Sequence, residues 1–161
     1  MDNIQLGETM TRWNNLIKTS AGEIVDKITI LNIKLLNILD EDKIKNIQYE
    51  LEALSENYVD MLNFLNIEQR KRFHHLKSNL FAINLRLWNV EDKIREKGAM
   101  LFTQSNSHDE FIYSLAPAEM PTANSFMLLA RDVYLINGER FSLKSKINEL
   151  LKSPIVEEKS H

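Results

Sequence analysis

The side chains best suited to chemistry in this sequence are carboxylates and cations spaced at helical intervals. Glu23, Asp26 and Lys27 fall within one turn. Trp88, Glu91 and Arg95 recur at steps of three and four with Asp92 beside them, and Tyr134, Asn137, Phe141, Lys144 and Asn148 do the same further along, with Arg131 and Arg140 nearby. Residues three and four apart share a helix face, so each set forms one polar edge of a helix. Where the three edges converge, the carboxylates of Glu23, Asp26, Glu91 and Asp92 face the cations of Lys27, Arg95, Arg131, Arg140 and Lys144. Such a pocket suits a small anion, a phosphate or carboxylate gripped by arginine forks, with carboxylate oxygens left to hold Mg²⁺. The plainer alternative is a salt-bridge network that fixes the order of the helices, in which Glu91 and Arg95 pair along their own face for about 0.2–0.5 kcal/mol. Arg140 is the informative member. The heptad through Val133 and Ile136 calls for an apolar residue at its position, so its guanidinium must snorkel or find an acidic partner.

Other chemistries have little support. The chain has no cysteine, which removes disulfides, thiolate zinc sites and thiol nucleophiles together. No glycine-rich phosphate loop, serine-centred elbow or HExxH motif is present. Of the acidic pairs used by all-helical nucleotide pyrophosphatases, only Glu23-x-x-Asp26 has a counterpart, and a double ExxE is missing. The basic run from Arg70 to Lys77 includes His74 and His75, which project about 100° apart on a helix and cannot chelate as an i, i+4 pair would. His108, Asp109 and Glu110 need ligands from elsewhere to hold a metal. No resident cofactor is expected, and Mg²⁺ is the one metal left open.

Twenty basic and 23 acidic side chains leave a net charge of −3, so no overall field draws the chain to nucleic acid or to anionic lipid. Residues 1–19 lack the order of a secretion signal, and no apolar run approaches the roughly 20 residues that cross a bilayer. A soluble cytoplasmic protein is expected, with no nucleic-acid or membrane partner.

The polar edges need rods to carry them, and the apolar residues supply these. Ile44, Ile47, Leu51, Leu54, Tyr58, Met61 and Leu65 form one stripe, and Phe73, Leu76, Leu80, Ile83, Leu87, Val90 and Ile94 another. Steps of three and four belong to helices and cannot come from strands of period two. The pattern predicts an all-α antiparallel bundle of four long helices, at about 20–39, 41–62, 67–97 and 124–151, with a long irregular connection over 98–123. Ser20 with Glu23 has the form of a capping box, Asn66 is a candidate cap for the third helix, and Gly98 is its expected left-handed stop. Ile24, Ile28, Leu31, Leu35 and Ile38, broadened by Val25, Ile30, Ile33, Leu36 and Leu39, predict burial of the first helix on more than one side. So short a break as Asn63 to Asn66 predicts that the second and third helices lie antiparallel. Residues 1–19 read as a polar lead-in anchored by Trp13 and Leu16, residues 20–153 as one bundle domain, and residues 154–161 as a charged tail. Phe111, Ile112, Tyr113 and Leu115 are expected to pin the connection to the bundle.

Several segments together resemble a family of small all-helical bacterial and phage proteins known as a domain of unknown function. They are Glu23-Ile-Val-Asp-Lys-Ile-Thr-Ile-Leu31, Leu87-Trp-Asn-Val-Glu-Asp-Lys-Ile-Arg95, Arg131-Asp-Val-Tyr-Leu-Ile-Asn137, Leu143–Leu151 and Val156-Glu-Glu-Lys-Ser160. The likeness spans most of residues 20–97 and 126–160, and it makes residues 98–125 an expansion of a shorter connection. It implies that the polar edges named above meet. It assigns no activity. Two functions follow as expectations: a protein-interaction or self-assembly module, as a monomeric bundle or a homodimer, or a mixed-charge pocket that binds a small anion or hydrolyses a phosphate ester with metal assistance.

Overall fold

A computed structural model describes residues 18–102 and 120–155, with side chains described for residues 18–96 and 124–155. Four helices account for nearly all of them: α1 (Ala21–Asn37), α2 (Glu41–Phe64), α3 (Ile67–Phe102) and α4 (Met120–Leu151). No strand occurs among the described residues, as the three-four spacing requires.

Local signals start the helices. Ser20 caps α1, its Oγ accepting from the Glu23 amide at 3.3 Å. Asn66 and Gln69 cap α3 reciprocally: Asn66 Oδ1 accepts from the Gln69 amide at 2.9 Å, and Gln69 Oε1 accepts from the Asn66 amide at 3.0 Å. Asp40 caps α2 by accepting from the amides of Lys43 at 3.0 Å and Asp42 at 3.1 Å. The hydrogen bond from the Lys43 amide, reinforced by the Lys43 charge and the Asp42 amide, holds its carboxyl below the usual Asp range. A folded pKa below the unfolded value of about 3.9 means stabilisation that is complete above that pH and lost as pH falls through the lower folded value. Asp40→Ala is therefore expected to lower the melting temperature slightly at pH 7, and Asp40→Asn to keep the cap without its pH dependence. Circular dichroism melts at pH 7 and pH 3 check this: the gap between wild type and Asp40→Ala should narrow at the lower pH.

α1 is the hub, packing against α2, α3 and α4, which explains its broad apolar face. Val25, Ile28, Leu31 and Ile33 are buried. Leu36, in the last turn of α1, and Leu39, beyond its end at Asn37, are exposed. There Asn37 Nδ2 donates to the Ile33 carbonyl at 2.7 Å and the Ile38 amide to the Lys34 carbonyl at 2.9 Å.

α2 lies shallowly, with Ile47 its one buried residue. Its closest packing is on α1. It meets α3 around the turn that joins them, where the Tyr58 and Phe73 rings are 5.9 Å apart and Arg70 Nε donates to the carbonyls of Leu62 and Leu65. The short turn thus brings the adjoining ends together without laying the two helices along each other throughout.

α3 and α4 form the most extensive pair. α3 does not stop at Gly98 but runs through it to Phe102, and no glycine among the described residues has a positive φ. A glycine inside a helix costs about 0.5–1 kcal/mol relative to alanine, less than one well-buried side chain contributes. α4 begins at Met120 rather than 124 and takes in Pro121, which the first turn tolerates because its amide would lack a partner there anyway. The predicted anchors Trp13, Leu16, Phe111, Ile112, Tyr113 and Leu115, the His108–Glu110 group and the end of the charged tail lie outside the described residues.

The core has two parts. Where the helices gather, Val25, Leu65, Phe73, Leu76, Leu80, Ile147, Leu150 and Leu151 pack together. Further along, Leu87, Val90 and Ile136, flanked by Ile83, Ile94, Leu129 and Val133, come from α3 and α4 alone. Seventeen residues of α1 span about 25 Å while 36 residues of α3 span about 54 Å. The long pair outruns α1.

Candidate functional site

A polar seam joins α1 to α3 and α4, and it begins with the unmet backbone donors at the start of α1. A helix leaves its first amides without internal partners, and here residues far along the chain supply two. The Gly22 amide donates to Asn148 Oδ1 at 2.6 Å and the Ala21 amide to Ser153 Oγ at 3.3 Å. Lys144, buried to 6% exposure, forms an ion pair with Glu23. The Glu23 carboxylate of the expected capping box is thus engaged by α4, while the Ser20 half of the box is in place.

One turn further along α1, Asp26 is 2% exposed. Arg140 meets it as a fork, Nε donating to Oδ1 at 2.9 Å and Nη2 to Oδ2. Two parallel charge-assisted bonds of this kind are the strongest way to hold a carboxylate with a side chain. Asn84 of α3 adds a third donor, its Nδ2 reaching Asp26 Oδ1 and Thr29 Oγ1, each at 2.8 Å. Thr29 in turn donates to the Asp26 carbonyl at 2.8 Å. Arg140 Nη1 also reaches Asn137 Oδ1 at 3.5 Å. The acidic partner that the heptad position of Arg140 calls for is Asp26, 114 residues away in sequence.

Beside this network is a cavity of about 220 Å³, whose wall includes Ile33 and Lys34 of α1, Asn84, Trp88 and Glu91 of α3, and Arg140 of α4. Of the side chains singled out from sequence, the structure therefore gathers Glu23, Asp26, Asn137, Arg140 and Lys144 into the seam and sets Trp88 and Glu91 on the cavity wall. The others lie apart. Lys27 turns outward to Glu50 at 3.3 Å. Arg95 pairs with Asp92, not with Glu91, on an exposed surface. Arg131 and Tyr134 are exposed, since they stand about 180° and about 120° around α4 from Arg140.

Asn148, on the predicted polar edge of the last helix, joins the seam, whereas Asn84, Thr29 and Lys34 were not apparent as site residues. Asn84 had a usable signal: it stands four residues after Leu80 and three before Leu87, within an apolar stripe. The seam as a whole satisfies charge against charge across three helices. Among the described residues no group of three His, Asp or Glu side chains is placed to hold a metal, and both acidic members of Glu23-x-x-Asp26 have cationic partners. No helix among the described residues is long and apolar enough to cross a membrane. No protein-family model, curated protein or solved structure matches this chain.

Proposed function

We propose that the protein is a cytoplasmic, non-catalytic helical module that assembles with a second copy of itself through the outward face of α4. One observation carries this reading. The face of α4 turned away from Arg140 and the buried Ile136 leaves Met127, Leu128, Tyr134 and Leu135 exposed at 68, 61, 67 and 45%. Met127 with Tyr134 and Leu128 with Leu135 are seven residues apart, the spacing that keeps a seam against a partner helix. Two α3–α4 pairs meeting about a two-fold axis form a four-helix arrangement with an internal apolar layer. The small net charge of −3 offers little repulsion between copies.

In this reading the seam is an orienting lock that sets α1 across the α3–α4 pair. The anion alternative, including Mg²⁺-assisted hydrolysis of a phosphate ester, finds less support. Arg140 and Lys144, the cations best placed to grip an anion, are already engaged by Asp26 and Glu23.

Light scattering coupled to size exclusion tests the proposal. The wild-type chain is expected at twice its 18.8 kDa mass, and Leu128→Glu with Leu135→Glu at the single-chain mass with its helical circular dichroism retained. A wild-type chain that stays monomeric at high micromolar concentration would overturn it.

A further inference from the structure

The cavity beside Asn84 is below the ~300–1,000 Å³ of pockets for drug-sized ligands. Its 220 Å³ has room for about seven waters at ~30 Å³ each, enough for one small molecule. Asn84 is 4% exposed, and its Nδ2 bonds to Asp26 and Thr29 fix which way the amide faces. Its Oδ1 is buried and has no hydrogen-bond partner among the described residues. Buried polar groups are nearly always satisfied, so an occupant that brings a donor to this oxygen corrects a defect of the fold.

The charges around the cavity select the class of occupant. Lys34 and Glu91 are opposite in sign, and the Arg140 charge is balanced by Asp26 behind it. An anion would meet a fork already engaged by a carboxylate. A cation would meet Lys34. Asn84 and Glu91 accept, whereas Lys34 and Arg140 donate, and the hydroxyl is the uncharged group that serves both kinds of partner. Trp88 and Ile33 supply apolar surface for a C–H face.

We propose that this cavity binds a small uncharged polyhydroxyl compound, with one hydroxyl donating to Asn84 Oδ1, others meeting Glu91 and Lys34, and a C–H face against Trp88. The inference does not depend on self-association.

Isothermal titration of the full chain tests it, with glucose and myo-inositol as cyclic probes, glycerol as an acyclic one, and sodium phosphate and ethanolamine as the charged alternatives. Saturable binding of a polyol in the millimolar range or tighter is expected, weakened about tenfold, a step of about 1.4 kcal/mol, by Trp88→Leu and by Glu91→Ala. Glu91 is exposed and Trp88 partly so, and circular dichroism should show both variants folded. Asn84→Asp, which removes donors from the lock itself, is a secondary variant. Saturation by phosphate or ethanolamine alone, no saturable binding by any probe, or polyol binding unchanged in both surface variants would each overturn the proposal.

Discussion

Arg140→Met is expected to cause the larger loss of stability of the two partners in the lock, about 3–5 kcal/mol, the range for breaking a buried ion pair by removing one member. The asymmetry comes from burial. The Asp26 side chain is 3% exposed and that of Arg140 is 25% exposed. Removing the guanidinium leaves a buried carboxylate with Asn84 as its remaining side-chain donor. Removing the carboxylate, as in Asp26→Asn, leaves a guanidinium that can extend toward solvent along its flexible stem. Arg140→Met should therefore lower the melting temperature by about 6–20 °C at 2–4 °C per kcal/mol for a chain of this size, and Asp26→Asn by distinctly less. The double variant Asp26→Asn/Arg140→Met should be more stable than the sum of the two losses predicts, since neither charge is then stranded. Thermal melts of the three variants decide the matter. Equal small losses from both single variants would show the pair to be a surface contact.

Gly22→Ala is the second large effect, and here two opposed terms must be weighed. Alanine gains up to about 1 kcal/mol over glycine from helix propensity and from a less flexible unfolded chain. Against this, a Cβ on Gly22 would lie 2.7 Å from the Lys144 carbonyl oxygen, 3.1 Å from its carbon and 3.0 Å from Asn148 Oδ1. The nearest atoms are backbone, so rotating a side chain gives no relief. α1 and α4 must separate, which also stretches the 2.6 Å hydrogen bond from the Gly22 amide to Asn148. Overpacking of this kind costs about 1–3 kcal/mol, and the lost bond adds about 0.5–1.5 kcal/mol. The balance is destabilising. Denaturant unfolding should show a lower midpoint, and hydrogen exchange should speed up at the first amides of α1. An unchanged or higher midpoint would mean that the helices approach less closely than described.

The helices were readable in the sequence because their signals are local. Ser20, Asp40 and Asn66 act on amides within three residues, and apolar spacing reports a face whatever that face meets. The need of Arg140 for an acid was readable for the same reason, as a charge in an apolar register. Which acid answers it was not, because Asp26 is brought there by the packing of α1 and not by any nearby residue. Arg131 and Tyr134 stand about 180° and about 120° around the helix from Arg140, so a stricter count of the helical turn already separates them from it. Gly98 failed as a stop because its preference for helix ends is smaller than the packing available to a long helix pair.

The start of α1 is completed by Asn148 and Ser153, 126 and 132 residues from their partners. During synthesis at about 5–20 residues per second, the opening helix therefore waits several seconds for the segment that closes it. Until then its apolar flanks have α2 and α3 to lean on, but its first amides and Asp26 lack their α4 partners. A chain released before Leu143 would have neither Lys144 nor Asn148, and quality control would meet it as a loosely held intermediate instead of a shortened native protein.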